Sequence, residues 1–327
     1  MNKQYLTLSA AVIGLLMGLA REGKAQRRPN THFLPYSFVT FGGGTSTYFG
    51  ELNAYSRPIK SLFTLPRWNV GLGYTRQFTP NFAARAMFTW ARVVADDYTY
   101  SKNNPSAYSL QYVRNLHFRN DIKEFAITGI YNFIADGRSP DNRAKLTPYI
   151  FGGLALVAHS PEALTPTERN AASAQYGSRQ WVKLQPLHTE GQGQPGYAKP
   201  YSLVTIGIPV GLGVRYRLNE SFNLGAELGY RMTFSDYLDD VGGVYAQPDA
   251  LQGLGSVLGD RRGELDAARV DQDRSAALQQ LQQADPSQFT TVSRGGGAKK
   301  FPKDGYLLTQ FTIQYIIPTK IKCPPIK

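Results

Sequence analysis

Residues 204–234 read V-T-I-G-I-P-V-G-L-G-V-R-Y-R-L-N-E-S-F-N-L-G-A-E-L-G-Y-R-M-T-F. Apolar side chains occupy every second position on both sides of a short N-E-S turn, and small, polar or charged residues fill the alternate positions. Successive side chains of a β-strand point to opposite faces, so this period of two predicts two long strands joined by a tight turn. One continuously apolar face opposite a polar face is typical of neighbouring strands in the wall of a transmembrane β-barrel.

The same alternation recurs elsewhere in the chain and predicts six further strands. They lie at residues 36–44, 68–78, 82–90, 121–133, 146–159 and 306–317. The connections after the first, third, fifth and seventh strands are long, and the others are shorter. Outer-membrane barrels place short turns in the periplasm and long loops outside the cell. We therefore predict an all-β fold, an eight-stranded antiparallel transmembrane β-barrel with long extracellular loops at about 46–67, 95–118, 160–202 and 235–304.

One helix is predicted inside the longest of these loops. Residues 262–283 combine good helix formers with apolar side chains at roughly helical spacing. The alternative interpretation of this segment is a partly ordered lid over the outer end of the barrel.

The first 25 residues have the pattern of a secretory signal peptide. Lys3 precedes an apolar run from Leu6 to Ala20, and small residues stand just before Gln26. The run is shorter than the roughly 20 residues that a spanning helix needs, which makes a membrane anchor the weaker alternative. We therefore predict a signal peptide at 1–25 and a barrel at 26–327, located in the cell outer membrane.

The composition limits the partners of the chain. Its formal net charge is +12 over 327 residues. In a secreted barrel this excess favours contacts with outer-membrane lipid and anionic lipopolysaccharide, and we predict no binding of nucleic acid. Cys323 is the single cysteine, so a disulfide within the chain is impossible. Its thiol either pairs with a partner protein or is an ordinary tail thiol.

The polar face of the predicted strands carries charged side chains into a narrow interior. An eight-stranded barrel is filled by side chains, which argues against a free-diffusion porin. Unpaired charges there would be costly, so we predict that Glu227 pairs with Arg215, Arg85 or Arg231. A gated ion path is the alternative interpretation. The predicted structural ionic plug consists of Arg85, Glu124, Arg215, Arg217, Glu227 and Arg231.

The sequence contains no H-E-x-x-H, C-x-x-C, G-x-S-x-G or P-loop motif, and we predict neither an enzymatic activity nor a cofactor or metal site. Two local arrangements offer alternatives. His159 precedes Ser160 at the outer rim of the fifth strand, where a lipid-modifying barrel enzyme would carry such groups. Asp236, Asp239 and Asp240 could bind Ca²⁺ through carboxylate oxygens, although stabilisation of the loop by these side chains is the simpler interpretation.

Three segments together resemble a known family of outer-membrane proteins. They are Y-F-G-E-L after the first strand (Tyr48–Leu52), F-S-D-Y-L-D-D-V-G-G-V-Y after the seventh (Phe234–Tyr245) and K-C-P near the end (Lys322–Pro324). With these segments the chain resembles the PorG-like outer-membrane β-barrels of Bacteroidota, which belong to the type IX protein secretion system.

The resemblance covers essentially the whole chain after the leader, apart from long insertions at 160–202 and 253–300. It implies an accessory or anchoring component of type IX protein secretion that contacts periplasmic proteins of the secretion ring. The alternative functions are a structural or surface-adhesion barrel without a secretion role and a lipid-modifying enzyme. The loop that carries the family motif contains Asp236, Tyr237, Asp239 and Asp240.

Overall fold

A computed structural model of the protein describes residues 33–53, 62–295 and 303–318. The predicted signal peptide at 1–25 and the thiol of Cys323 lie outside these residues, as does the K-C-P segment. No helix in the described ranges is long and apolar enough to cross a membrane.

Eight long antiparallel strands and two short ones form a single sheet. The strands are β1 (Tyr36–Phe49), β2 (Arg67–Gln77), β3 (Phe82–Asp96), β4 (His117–Asn132), β5 (Leu146–Ala158), β6 (Pro161–Leu164), β7 (Trp181–Lys183), β8 (Val204–Arg217), β9 (Phe222–Thr233) and β10 (Gly305–Ile317). The long strands pair in the order β1-β2-β3-β4-β5-β8-β9-β10, and β10 pairs back to β1. This closed ring of eight strands confirms the predicted fold class.

The outer face of the ring is an apolar wall. Alternate side chains of every long strand point outward and are exposed, as the period of two predicts. So large an apolar surface would be unfavourable in water, and in a closed barrel it is the face that contacts lipid. One exposed side chain from each strand illustrates it: Phe41, Leu72, Phe88, Ile127, Leu154, Ile206, Leu228 and Phe311.

The connections alternate in length around the ring. Three short ones, at 78–81, 133–145 and 218–221, lie at one end, and four long ones, at 50–66, 97–116, 159–203 and 234–304, lie at the other. By the usual arrangement of such barrels the short turns are periplasmic and the long loops extracellular. The strands reach further into the loops than predicted, because β1 continues to Phe49 and β4 begins at His117.

The long connections contain structure of their own. Besides β6 and β7, they carry α1 (Asp97–Ser101), α2 (Ser109–Arg114), α3 (Ser173–Tyr176), α4 (Leu254–Gly259), α5 (Ser275–Ala284) and α6 (Ser287–Thr290). The helix predicted at 262–283 is wrong in its first half, because residues 262–274 form turns and only α5 is helical. Asp271 has a φ of 56°, a left-handed conformation that a helix cannot include.

We call residues 50–53, 97–116, 159–203 and 234–295 the cap. Its apolar core is continuous with the extracellular end of the lumen, where Phe118 and Tyr306 of the barrel pack with Leu238 and Val241 of the cap. A second cluster joins the helices α1, α2 and α5 to each other. The extracellular end of the barrel is therefore covered by a packed layer of loops.

Candidate functional site: the lumen and the cap

The centre of the lumen holds an ion pair between β3 and β9. The guanidinium of Arg85 donates to Glu227 Oε1 at 2.5 Å, and the hydroxyl of Tyr149 donates to the same oxygen at 2.6 Å. Arg85 also lies over the ring of Phe151, with its Cζ 4.9 Å from the ring centroid. Both charged side chains are almost completely buried, so the carboxylate depends on these two donors for its compensation.

A second pair lies closer to the extracellular end. Arg231 Nε donates to Glu124 Oε2 at 3.2 Å, and the Tyr306 hydroxyl donates to the same oxygen. Gly229 leaves the space that the guanidinium occupies, because a Cβ at this position would overlap Arg231 Nη1. The inward glycines of β9 thus make room for its long charged side chains.

A third pair lies toward the periplasmic end. Arg215 Nη2 donates to Asp136 Oδ2 at 3.2 Å, and the Tyr36 hydroxyl donates to this oxygen at 2.7 Å. Asp136 belongs to the short connection after β4 and folds back into the lumen. In all three layers, one carboxylate oxygen therefore accepts hydrogen bonds from one arginine and one tyrosine.

One member of the predicted plug is wrong, and one of the alternative pairings does not form. Arg217 is not part of the buried network, because it is the last residue of β8 and its Nη1 donates to the carbonyl oxygen of Asp141 at the exposed rim. Arg215 pairs with Asp136 and not with Glu227. The pairing of Glu227 with Arg85 is the one of the three expected arrangements that forms.

Sequence reasoning missed the tyrosines and the aspartate of this network. A signal was present for Tyr149 and Tyr306, because each stands at an inward position of a strand with alternating pattern. No such signal existed for Asp136, because it lies in a turn, and only the folded chain brings it under the lumen.

Two of the buried arginines of the cap, Arg114 and Arg294, bind several segments at once. Arg114 donates Nε and Nη2 to the two carboxylate oxygens of Asp97, and its remaining donors reach the carbonyl oxygens of Glu51 and Arg294. Arg294 donates to Glu190 Oε1 at 3.2 Å. Each guanidinium thereby ties together loops that are far apart in sequence.

The family-motif loop lies at the base of the cap, and its carboxylates contact different parts of the molecule. Asp240 accepts hydrogen bonds from the hydroxyls of Thr189 and Tyr201 and lies 3.7 Å from Arg294 Nη1. Burial raises the pKa of Asp240 to about 6. Asp240 is committed to these donors, and within the described part of the chain Asp236, Asp239 and Asp240 do not form the group of carboxylates that was considered for Ca²⁺.

Asp239 instead approaches two carboxylates from other segments. One carboxylate oxygen each from Glu51, Asp239 and Asp304 lies within 4.8 Å of the others. Asp239 and Asp304 are 2% and 1% exposed. Glu51 belongs to Y-F-G-E-L and Asp239 to S-D-Y-L-D-D-V, so the two segments that carried the family resemblance meet in this acidic cluster. Burial raises the pKa of both aspartates.

A small cavity of about 10 Å³ lies between this cluster and the arginines of the cap. Its lining includes His117, Asp239, Arg261 and Arg294. A buried nitrogen of each of the three basic residues lacks a hydrogen-bond partner. The volume is close to the minimum for one water molecule, and a water here would satisfy these groups.

His159 is packed into a column of aromatic rings. It stacks on Tyr201 with ring centroids 6.3 Å apart, and Tyr201 stacks on Tyr237 at 4.6 Å. Both ring nitrogens of His159 are buried and have no hydrogen-bond partner among the residues that the structure describes, and burial lowers the pKa of the imidazole to about 4. Ser160 is held through its backbone N–H by Asn120 Oδ1 at 2.8 Å. His159 and Ser160 thus lack the mutual hydrogen bond by which a base activates a nucleophile.

The ring of strands, the apolar wall and the filled lumen together decide the class of protein. Only helices and closed barrels satisfy their backbone groups inside a bilayer, and a closed antiparallel barrel with an apolar outer face is the form that spans outer membranes. The protein is an outer-membrane β-barrel. Residues 40–177 of this barrel match the model of a family described as Domain of unknown function (DUF6089).

Solved structures similar to this outer-membrane β-barrel share little sequence with it. Neisserial surface protein A has 11% identity over 85% of this chain and 96% of its own, with a TM-score of 0.35. A major outer membrane protein from Thermus thermophilus has 10% identity over 86% and 99%, with a TM-score of 0.38. Ail, the attachment invasion locus protein of Yersinia pestis, has 8% identity over 86% and 99%, with a TM-score of 0.34. No curated protein sequence matches the chain.

Proposed function

We propose that this outer-membrane β-barrel is a non-enzymatic accessory component of type IX protein secretion that anchors proteins of the periplasmic secretion ring at the membrane. The filled lumen is the observation that carries the proposal. Three buried ion pairs occupy the interior, so the barrel works through its two ends and not through a channel. The resemblance of its Y-F-G-E-L and S-D-Y-L-D-D-V segments to PorG-like barrels supports the assignment to type IX secretion.

The periplasmic end offers a surface for such a partner. An open groove of about 810 Å³ lies beside the turn between β8 and β9, lined by Lys145, Arg217, Asn219 and Phe222 among others. Asp141 and Glu220 also line this groove. Apolar side chains among charges of both signs suit a partner segment with an apolar anchor and complementary charges, since charge guides the encounter and the apolar group supplies affinity.

The geometry around His159 supports a non-enzymatic role. The imidazole lacks a hydroxyl partner, lies buried in an aromatic column and is neutral at physiological pH because burial lowers its pKa. We expect the lipid A profile to be unchanged when His159 is replaced. A changed profile in mass spectrometry would instead favour the lipid-modifying alternative.

Gene deletion and complementation test the secretion role. Deletion should abolish the release of secreted cargo, and wild-type protein should restore it and co-purify ring proteins. The double variant Lys145→Glu/Arg217→Glu should insert as a heat-modifiable barrel yet fail to capture the ring. Lys183→Glu, a charge reversal on the exposed extracellular β7, is the matched control and should complement fully. Intact secretion after deletion would refute the proposal.

A surface-adhesion role is the second candidate, and the cap is the observation that favours it. Large apolar side chains of the cap are exposed on neighbouring segments, with Val244 52% and Val292 71% exposed. Exposed apolar groups of this kind mark contact surfaces when they cluster. Loss of cell attachment with unchanged secretion after deletion would support adhesion over anchoring. In either role, we expect membrane lipid and lipopolysaccharide to surround the wall.

A further inference from the structure

The acidic cluster of the cap joins three segments that are distant in sequence. Glu51 follows β1, Asp239 lies after β9 and Asp304 precedes β10. Asp304 is fixed by two donors, because its Oδ1 accepts from the Tyr48 hydroxyl at 2.6 Å and its Oδ2 accepts from the backbone N–H of Leu238 at 2.7 Å. The three carboxylates are thus placed by the fold and not by a local loop.

Among the residues that the structure describes, part of this cluster has no hydrogen-bond partner. Asp239 Oδ1 accepts from the backbone N–H of Val241 at 2.9 Å, whereas Asp239 Oδ2 and Glu51 Oε2 are buried and accept no hydrogen bond. An unsatisfied carboxylate oxygen in an interior with 2% exposure costs more than a neutral group would. Such an atom requires a donor or a cation.

Nearby positive charge does not compensate the cluster. Arg114 is bidentate to Asp97 and touches Glu51 only at the carbonyl oxygen. Arg261 and Arg294 line the cavity beside Asp239. Within residues 33–53, 62–295 and 303–318, none of the three carboxylates takes part in an ion pair. The three buried arginines near the cluster, Arg114, Arg261 and Arg294, are thus committed to Asp97, Glu264 and Glu190.

We propose that Glu51, Asp239 and Asp304 bind a divalent cation, Ca²⁺, which links the roots of three strands to the base of the cap. Oxygen-only donors suit a hard cation, and the partly dehydrated, buried position favours Ca²⁺ over Mg²⁺, which keeps several waters. The small cavity beside Asp239 has room for one water molecule. Extracellular Ca²⁺ sites have dissociation constants of about 10⁻⁴–10⁻³ M, which the medium outside an outer membrane can supply.

The test uses the full-length barrel, purified in detergent and freed of metal with a chelator. Tb³⁺ serves as a luminescent substitute for Ca²⁺, because the Tyr48 ring next to Asp304 can sensitise its emission. Ca²⁺ should displace Tb³⁺ and slow proteolysis of the cap, and Mg²⁺ should do so only at much higher concentration. In Asp239→Asn, Ca²⁺ affinity should fall about 10-fold or more. Asp260→Asn, which removes an exposed carboxylate of the same loop, should bind like the wild type.

A second readout distinguishes a cation site from shared protons. Without metal, Asp239→Asn should resist proteolysis better than the wild type, because one repelling charge is gone; with Ca²⁺ the order should reverse. The cation site is refuted if millimolar Ca²⁺ neither displaces Tb³⁺ from the wild type nor slows its proteolysis. It is also refuted if Asp239→Asn binds Tb³⁺ as the wild type does. Secretion and ring capture are not part of either readout, so this result stands apart from the proposed function.

Discussion

At the scale of single residues, each of the three buried ion pairs of the lumen joins a carboxylate to an arginine, and a tyrosine hydroxyl donates to the same carboxylate. The carboxylate oxygen of Glu227 receives both a guanidinium and a hydroxyl, so Arg85 and Tyr149 are both needed to compensate it. In a dry interior the loss of one partner costs far more than the pair contributes as a whole, because the other charge is left exposed to a low dielectric.

The central pair provides a direct test of this view. Arg85→Met should lower the free energy of unfolding by about 3–5 kcal/mol, because Glu227 would remain buried without its counter-charge. Arg85→Met/Glu227→Gln should recover most of the loss, since glutamine still accepts from Tyr149. Unfolding in urea, followed by the heat-modifiable shift on gels, measures both variants.

The control for this pair is Arg92→Met. Arg92 pairs with Asp121, but both side chains are about one third exposed, so the change should cost about 0–1 kcal/mol. Equal losses of unfolding free energy in Arg85→Met and Arg92→Met would show that the buried lumen pair stabilises the fold no more than a partly exposed pair does. Steady ion conductance of the wild type in planar bilayers would favour the gated-path alternative.

His159 makes stability depend on pH through its lowered pKa. The folded pKa of about 4 lies below the ordinary value of 6.5, so between these values the unfolded chain binds more protons than the folded one. This contribution is constant above about pH 6.5 and is lost as the pH falls toward 4, by an amount on the order of 3 kcal/mol.

His159→Phe isolates this effect, because phenylalanine keeps the stacking on Tyr201 and cannot titrate. The wild type should lose stability relative to His159→Phe as the pH falls from 7 to 4. Above pH 7 the difference in stability between the two proteins should be constant. Thermal unfolding of the cap, followed by near-UV circular dichroism, gives the comparison. A constant difference at every pH would contradict a buried neutral imidazole.

At the scale of elements, the strand β5 shows how the inner and outer faces of the wall differ in the side chains that they tolerate. Gly153 points into the lumen, and Gly152 points toward lipid. The ladder between β5 and β8 is interrupted where Gly153 and Leu154 face Ile208 and Pro209. Proline lacks the N–H that a ladder needs, so this part of the wall has fewer hydrogen bonds than its surroundings.

Replacement of each of these two glycines by alanine should affect the inner and the outer face differently. A Cβ on Gly153 would overlap the carbonyl oxygen of Ile127 and lie 2.8 Å from Thr128 Cα, and backbone cannot move aside as a side chain can. We expect Gly153→Ala to cost about 1–3 kcal/mol or to prevent assembly. Gly152→Ala is the control, because its Cβ meets its nearest atoms at 3.8 Å. Similar yields of folded barrel for both variants would contradict the close packing described for β5.

At the scale of the whole molecule, the barrel and the cap are held by different forces. The barrel depends on closed strand pairing and a lipid-facing wall, whereas the cap depends on small apolar clusters and buried arginines. Arg294 is central to the cap, because its Nη1 donates to Thr189 Oγ1, Glu190 Oε1 and the carbonyl oxygen of Asp240.

Arg294→Met should therefore open the cap and spare the barrel. Glu190 and Asp240 would lose their counter-charge, and the local cost should be about 3–5 kcal/mol. Limited proteolysis should cut the loops at 159–203 and 234–295 faster, while the heat-modifiable shift of the barrel persists. Arg262→Met is the control, because its ion pair with Asp260 is partly exposed. Loss of the barrel shift in Arg294→Met would mean that cap and barrel fold as one unit.

The sequence by itself determined the barrel. Period-two alternation in segments such as 204–234 is a local property of the chain, and the alternating loop lengths set the number and direction of the strands. It also placed Arg85, Glu124, Arg215, Glu227 and Arg231 on the inner face, because strand geometry fixes which side each residue takes.

Only the tertiary structure decided which charges meet. Arg215 lies on the strand β8, and Asp136, with which it pairs, lies in the turn after β4. Glu51 lies close to Asp239 and Asp304, although these two residues come much later in the chain. Alternation specifies a face but not a neighbour, because closure of the ring, the stagger of the strands and the path of each loop set those distances. For the same reason, the first half of the predicted helix at 262–283 forms turns instead. There the Asp266 carboxylate accepts from Arg169, and the backbone N–H of Ala268 donates to Asn115.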